Sequence, residues 1–220
     1  MRRSIAAGCL AVVLATPGTL GVEYFRPSAP PPNPRTVAIE RAVHAVDMYL
    51  APRMPLMDDG RRIQLARTIV HESVDKQFDP LFVLAVIEVE SNYDHEAVSP
   101  TGAKGLMQVI PSTWNLVTER YGLGRLEKFN PVNSVRVGIC YLHLLVTSGF
   151  KRPDTMLLAY NQGPGTANDI IKGNAEPNEE AQAYGPRIIA VYKRLLREHG
   201  INAKDVRKLY RNPFGSLVSL

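Results

Sequence analysis

Two Asx-Pro pairs, each set directly ahead of a long apolar run, constrain this chain more than any other feature. Asp79-Pro80 precedes Leu81-Phe82-Val83-Leu84-Ala85-Val86-Ile87, and Asn130-Pro131 precedes the run from Val132 to Thr147. An Asp or Asn side chain accepts from the first unpaired amides of a helix, and proline fits the first helical position, where no amide bond is lost. Gly149 supplies the stop for the second run. Upstream, residues 61–74 place Ile63, Leu65, Ala66, Ile69 and Val70 at helical spacing. Further helices are predicted over residues 112–121, 154–160, 166–172 and 187–199, with peripheral ones over 37–50 and 204–210. No stretch alternates apolar and polar residues for long, and no internal repeat is visible. The predicted class is mainly α, with at most a small β element.

Composition narrows the class. With 45% hydrophobic and 21% charged residues, the 220-residue chain can bury one sizeable core and is not a disordered polymer. Two cysteines, Cys9 and Cys140, cannot build a disulfide scaffold. Cys140, set in an apolar run, reads as a small buried hydrophobe.

The net charge of +5 invites a nucleic-acid reading, but the charges sit at the ends. Arg2 and Arg3 precede nineteen uncharged residues, Ser4 to Val22, broken by Pro17 and Gly18. That pattern predicts an export signal over residues 1–21, or a membrane anchor if it stays uncleaved. Pro27, Pro30, Pro31, Pro32 and Pro34 make residues 22–35 a semi-rigid spacer. Residues 36–60 read as an N-terminal helical extension. Lys204, Arg207, Lys208 and Arg211 against Asp205 make residues 201–220 a basic tail. Residues 22–200 then hold 20 basic and 20 acidic side chains, so the body is neutral. No nucleic-acid partner is expected.

The chemistry concentrates in Val86-Ile87-Glu88-Val89-Glu90-Ser91-Asn92-Tyr93. Two carboxylates end an otherwise apolar helix. Desolvation and the negative end of the helix dipole both raise a carboxyl pKa there, and a carboxyl kept protonated near neutrality suits a general acid on a glycosidic oxygen. Glu90 shares a face with Val86 and Ile87, and Glu88 with Leu84 and Ala85, so periodicity leaves open which one is buried.

The segment Ala97-Val98-Ser99-Pro100-Thr101-Gly102-Ala103-Lys104-Gly105-Leu106-Met107-Gln108, with Pro111-Ser112-Thr113 after it and Glu90-Ser91 before it, resembles the signature of the soluble lytic transglycosylases, relatives of goose-type lysozyme. Asn130-Pro131, Gly138, Tyr141-Leu142, Ala159-Tyr160-Asn161-Gln162-Gly163, Glu180 and Tyr184 continue the likeness in order. The resemblance implies a lysozyme-like domain over residues 61–200. It also implies cleavage of the β-1,4 bond between N-acetylmuramic acid and N-acetylglucosamine in peptidoglycan, with a 1,6-anhydromuramoyl product. Glu90 matches the single catalytic acid of the family. By the same matching Ser91, Ser99, Gln108, Tyr160, Asn161 and Tyr184 fall on substrate-binding positions, with the two tyrosines near the acid. Ile110 stands where relatives often have Met, and Glu180-Ala181-Gln182 where they often have Glu-Thr-Arg.

No cofactor or metal is expected: His71-Glu72 lacks a second histidine at i+4, and the five histidines are scattered. Asp94 and Glu96, close behind Glu90, offer a second carboxylate and hence a hydrolytic muramidase as the alternative. A non-catalytic peptidoglycan-binding scaffold of an envelope-spanning complex is a third reading. Glycan strands are the expected partner, with envelope or secretion-complex proteins as candidates. The expected location is the periplasm of a bacterium, with membrane attachment if the signal is retained.

Overall fold

A computed structural model describes residues 33–199. The expected signal, most of the spacer, the basic tail and the helix expected over 204–210 lie outside these residues. Two compact units are distinguished, Met1–Val37 and Ala38–Leu220. Of the first, only the opening of helix α1 (Pro34–Leu50) is described, and it starts inside the stretch read as spacer.

The second unit carries the rest of α1 and helices α2 (Asp59–Asp75), α3 (Pro80–Ser91), α4 (Pro111–Arg120), α5 (Pro131–Thr147), α6 (Pro153–Gln162), α7 (Pro164–Ile171) and α8 (Glu179–Glu198). Among the described residues there is no strand, only isolated antiparallel bridges Val98–Lys104 and Lys104–Val109. None of the described helices is long and apolar enough to cross a membrane.

Both Asx-Pro devices work as the sequence predicts. Asp79 accepts from Leu81 N–H at 2.8 Å, and Asn130 accepts from Val132 and Asn133 N–H at 3.0 and 3.3 Å. Helix α3 is buried all round from Pro80 to Ile87, the mark of a central helix. It packs on α8 and α2, while α5 backs α2 and α4, and α6 bridges α5, α7 and α8.

Two expectations are corrected. The 37–50 helix is not merely peripheral, because Val43, Val46, Tyr49 and Leu50 are buried in the core. The last helix begins at Glu179, not at 187, and runs through Pro186. Proline clashes with the Cβ of the residue before it when that residue is helical, and Gly185 has none. A Cβ at Gly185 would meet only Leu157 at 3.9 Å, so packing does not demand the glycine. The stripe Ala181, Tyr184, Ile188, Tyr192, Leu195 and Leu196 then keeps α8 on the core. Tyr192 donates to Asp79 at 2.6 Å and so ties α8 to the start of α3.

Candidate active site

The end of α3 gives its two glutamates different surroundings. Glu88 is saturated: Arg194 Nη2 lies 2.7 Å from both carboxylate oxygens, and the hydroxyls of Tyr49 and Tyr93 donate to Oε2 at 3.1 and 3.3 Å. Glu90 lines a cavity of about 690 Å³, and Glu88 does not. Among the described residues, the only hydrogen bond to the Glu90 carboxylate comes from the Tyr184 hydroxyl on α8. Burial pushes the Glu90 carboxyl up to about 7, against the opposing pull of the Tyr184 hydrogen bond and the positive charge of Arg187, with Glu180 adding to the rise. Such a group holds its proton near neutrality and can both give it and take it back.

The facing wall is the loop between α3 and α4, and much of it is held by its own backbone. Ser99 N–H donates to Ala103 O at 3.0 Å, Gly102 N–H to Ser99 O at 2.9 Å, and Gly105 N–H to Ala97 O at 3.0 Å. Gly105 is required twice over. Its φ is +74°, and a Cβ would come within 2.8 Å of Ser134 Oγ and 2.9 Å of the Lys128 carbonyl. Gln108 adopts φ +44°, and its Nε2 donates to Gly105 O at 2.8 Å and Ala97 O at 3.0 Å. That use of the amide nitrogen leaves the Gln108 side-chain oxygen as the group available to a ligand.

Three further side chains clamp Leu106 and Met107. Ser91 Oγ lies 2.9 Å from Leu106 O, Ser134 Oγ accepts from Met107 N–H at 3.2 Å, and the Tyr160 hydroxyl donates to Met107 O at 2.8 Å. Behind them Gly138 lets α5 approach the loop, since a Cβ there would come within 2.6 Å of Met107 Cβ.

Six of the seven residues singled out from the sequence therefore line one cavity: Glu90, Ser99, Gln108, Tyr160, Asn161 and Tyr184. Ser91 does not. Its hydroxyl is turned to Ile87 O and Leu106 O, so it joins the acid-bearing helix to the loop. Tyr160 lines the cavity, but its hydroxyl is given to the Met107 carbonyl and not to Glu90. Ser99 accepts from Ala103 N–H at 3.0 Å and pairs with Thr101 Oγ1 at 2.9 Å, and Asn161 Oδ1 accepts from Gln162 at 2.5 Å.

Asp94 and Glu96, the candidates for a second carboxylate, lie outside the cavity lining. Asp94 instead accepts from Glu96 N–H at 2.9 Å in an exposed turn. The second carboxylate that does line the cavity is Glu180, and the cation that does so is Arg187. The sequence reading did not place Arg187, because the signal that finds it, one turn beyond Tyr184 on the same helix face, needs α8 to continue through Pro186. Cys140 is buried as expected, and burial pushes its thiol up to about 11.

Comparison with known proteins gives this geometry its context. Membrane-bound lytic murein transglycosylase C of Photorhabdus laumondii is 26% identical over a stretch covering 72% of this chain and 53% of the relative. The protein of the same name from Histophilus somni is 34% identical over 44% of this chain and 30% of the relative. The chain thus spans about half the length, or less, of these curated relatives. Among solved structures, the 70 kDa soluble lytic transglycosylase of Escherichia coli matches 74% of this chain and 30% of its own length, with a TM-score of 0.57 at 18% identity. An inactive mutant of the lytic transglycosylase Slt from Pseudomonas aeruginosa matches 76% of this chain and 29% of its own, also at 0.57, with 19% identity. These likenesses carry the lysozyme-like fold that the sequence implied. The family model of the transglycosylase SLT domain matches residues 67–183, the span from α2 into α8 that carries every residue lining the Glu90 cavity except Tyr184 and Arg187. The chain belongs to the transglycosylase SLT domain family.

Proposed function

We propose that this chain is a lytic transglycosylase of peptidoglycan, cleaving the β-1,4 bond between N-acetylmuramic acid and N-acetylglucosamine and leaving a 1,6-anhydromuramoyl end. The observation that carries the reading is the half-buried carboxyl at the cavity, Glu90, held by one tyrosine hydroxyl and raised by desolvation to about 7. Two-carboxylate glycosidases need a second acid to attack the sugar or to activate water. Here Asp94 and Glu96 stand away from the cavity, and Glu180 is exposed at its rim.

In this mechanism protonated Glu90 gives its proton to the leaving glycosidic oxygen as the C1–O bond breaks. The muramoyl N-acetyl oxygen supports the developing positive charge at C1. Glu90, now a carboxylate, takes the proton of the muramoyl C6 hydroxyl, whose oxygen bonds to C1. No water is consumed, and Glu90 ends protonated as it began. Tyr184 orients the carboxyl, Gln108, Ser99 and Asn161 offer polar contacts to the sugars, and Ser91 and Tyr160 hold the loop that carries Gln108. The names of the relatives, membrane-bound lytic murein transglycosylases, support an address in the bacterial envelope, reached through residues 1–21 as export signal or anchor.

The test is product mass from purified sacculi. Anhydro-muropeptides, one water lighter than reducing-end products, are expected from the wild type and not from Glu90→Gln. Reducing-end products would establish a hydrolytic muramidase instead. Binding without any product would establish a non-catalytic scaffold.

A further inference from the structure

The face of α8 that lines the cavity carries Glu180, Tyr184 and Arg187, at i, i+4 and i+7. With a rise of ~1.5 Å per residue, the outer two stand roughly 10 Å apart along the helix, on either side of the tyrosine that meets Glu90. That separation is too great for an ion pair. Among the described residues Arg187 has neither an ion-pair nor a hydrogen-bond partner, although its charge is felt at Glu90 and Tyr184. Of the other described arginines, Arg62, Arg67, Arg136, Arg152 and Arg194 are paired with carboxylates, whereas Arg41, Arg120, Arg125 and Arg197 are unpaired like Arg187 but line no part of the cavity. Arg187 is also the only cation among the described residues lining the cavity.

Resting on the function proposed above, we propose that Arg187 is a carboxylate subsite, binding a carboxylate of the muramoyl unit beside the bond to be cleaved. The N-acetyl sugars themselves are uncharged and ask only for hydrogen bonds, which Ser99, Gln108 and Asn161 can supply. The negative charge of a glycan strand resides in carboxylates, carried by the stem peptide or, where the peptide has been removed, by the lactyl group. The planar guanidinium fork matches a carboxylate in two parallel hydrogen bonds. Glu180, at the opposite end of the stripe, repels the same group. The two charges therefore orient the strand, with its carboxylate-bearing sugar toward Arg187 and its uncharged sugar toward Glu180.

The experiment measures equilibrium binding to the full-length chain, with Glu90→Gln as background to stop turnover. Three ligands of equal length are compared: peptide-bearing glycan, the same glycan after an amidase has exposed the lactyl carboxylate, and chito-oligosaccharide, which has no carboxylate. Arg187→Gln is expected to weaken a carboxylate-bearing ligand about three- to tenfold and leave chito-oligosaccharide unchanged. Arg187→Lys should retain most of the affinity, and the effect should shrink with added salt. Loss on peptide-bearing glycan identifies the stem peptide as the source, and loss on amidase-treated glycan alone identifies the lactyl group. An equal change on all three ligands, or no change on both carboxylate-bearing ones, overturns the subsite. Digestion of sacculi by the wild type is scored separately, so a failed subsite is distinguishable from a failed assignment of the reaction. If no ligand binds the unaltered Arg187 background, both fall.

Discussion

Glu90→Gln should stabilise the folded chain, and by an amount that depends on pH. The carboxyl titrates at about 7 in the fold against an ordinary 4.5, chiefly because burial disfavours its charged form. Below the lower value both folded and unfolded chains carry the proton, and glutamate resembles glutamine. Between the two values the unfolded chain ionises while the folded chain does not, which favours unfolding. Above the upper value both are ionised and the penalty is constant. At ~1.4 kcal/mol per tenfold change in proton affinity, the full penalty is about 3 kcal/mol. Water at the cavity mouth reduces it, so a gain of about 1–3 kcal/mol is expected for the variant. Glutamine keeps the volume and still offers an oxygen to Tyr184, so packing does not confound the comparison. Urea denaturation of both proteins at about pH 4.5, 6, 7 and 8 reads the effect. The advantage of Glu90→Gln should be near zero at the lowest pH, grow through the window and level off above it. A constant offset at every pH, or a wild type more stable than the variant at the highest, would refute the idea that Glu90 is held protonated by its surroundings.

Two more changes probe the same site. Tyr184→Phe removes the hydroxyl that favours the ionised form of Glu90. The alkaline limb of the pH–rate profile should therefore move upward while the maximal rate falls about tenfold from lost orientation of the acid. A limb that moves down would contradict the assignment. Gly138→Ala drives a methyl to within 2.6 Å of Met107 Cβ. It should cost about 1–3 kcal/mol in thermal or urea unfolding. It should also weaken chito-oligosaccharide binding, because Met107 carries the carbonyl that anchors Tyr160 and precedes Gln108.

How far the fold could be read from the chain is visible at its prolines. Pro34, Pro80, Pro111, Pro131, Pro153 and Pro164 each open a helix. At Pro80 and Pro131 the preceding Asp or Asn caps the helix, and the start was legible. Before Pro111, Pro153 and Pro164 stand Ile110, Arg152 and Gly163, which make no side-chain cap, and the predicted starts fall one or two residues late. Pro186 misled in the opposite sense, since proline usually marks a boundary and only the glycine before it signals otherwise. Six of the seven candidate residues line one cavity, and a motif carries them in order along the chain. The duties of Ser91 and Tyr160 were not legible, because a hydroxyl's partner 15 or 53 residues away leaves no local trace.

The two glutamates show why that limit falls where it does. At 3.6 residues per turn, positions two apart point roughly 200° apart, so Glu88 and Glu90 must face different neighbours. Periodicity states this much and is silent on who the neighbours are. On one side stand Arg194 and two tyrosines, and a carboxylate there is compensated by three donors. On the other side stands one hydroxyl beside a cavity, and a carboxyl there is left with its proton. Both sets of partners include residues of α8, a helix about a hundred residues further along the chain. The difference between a fully compensated carboxylate and a carboxyl raised to about 7 thus arises from tertiary packing. Arg187 depends on that same packing, since only a helix that continues through Pro186 carries a cation past Tyr184 on the face that lines the cavity.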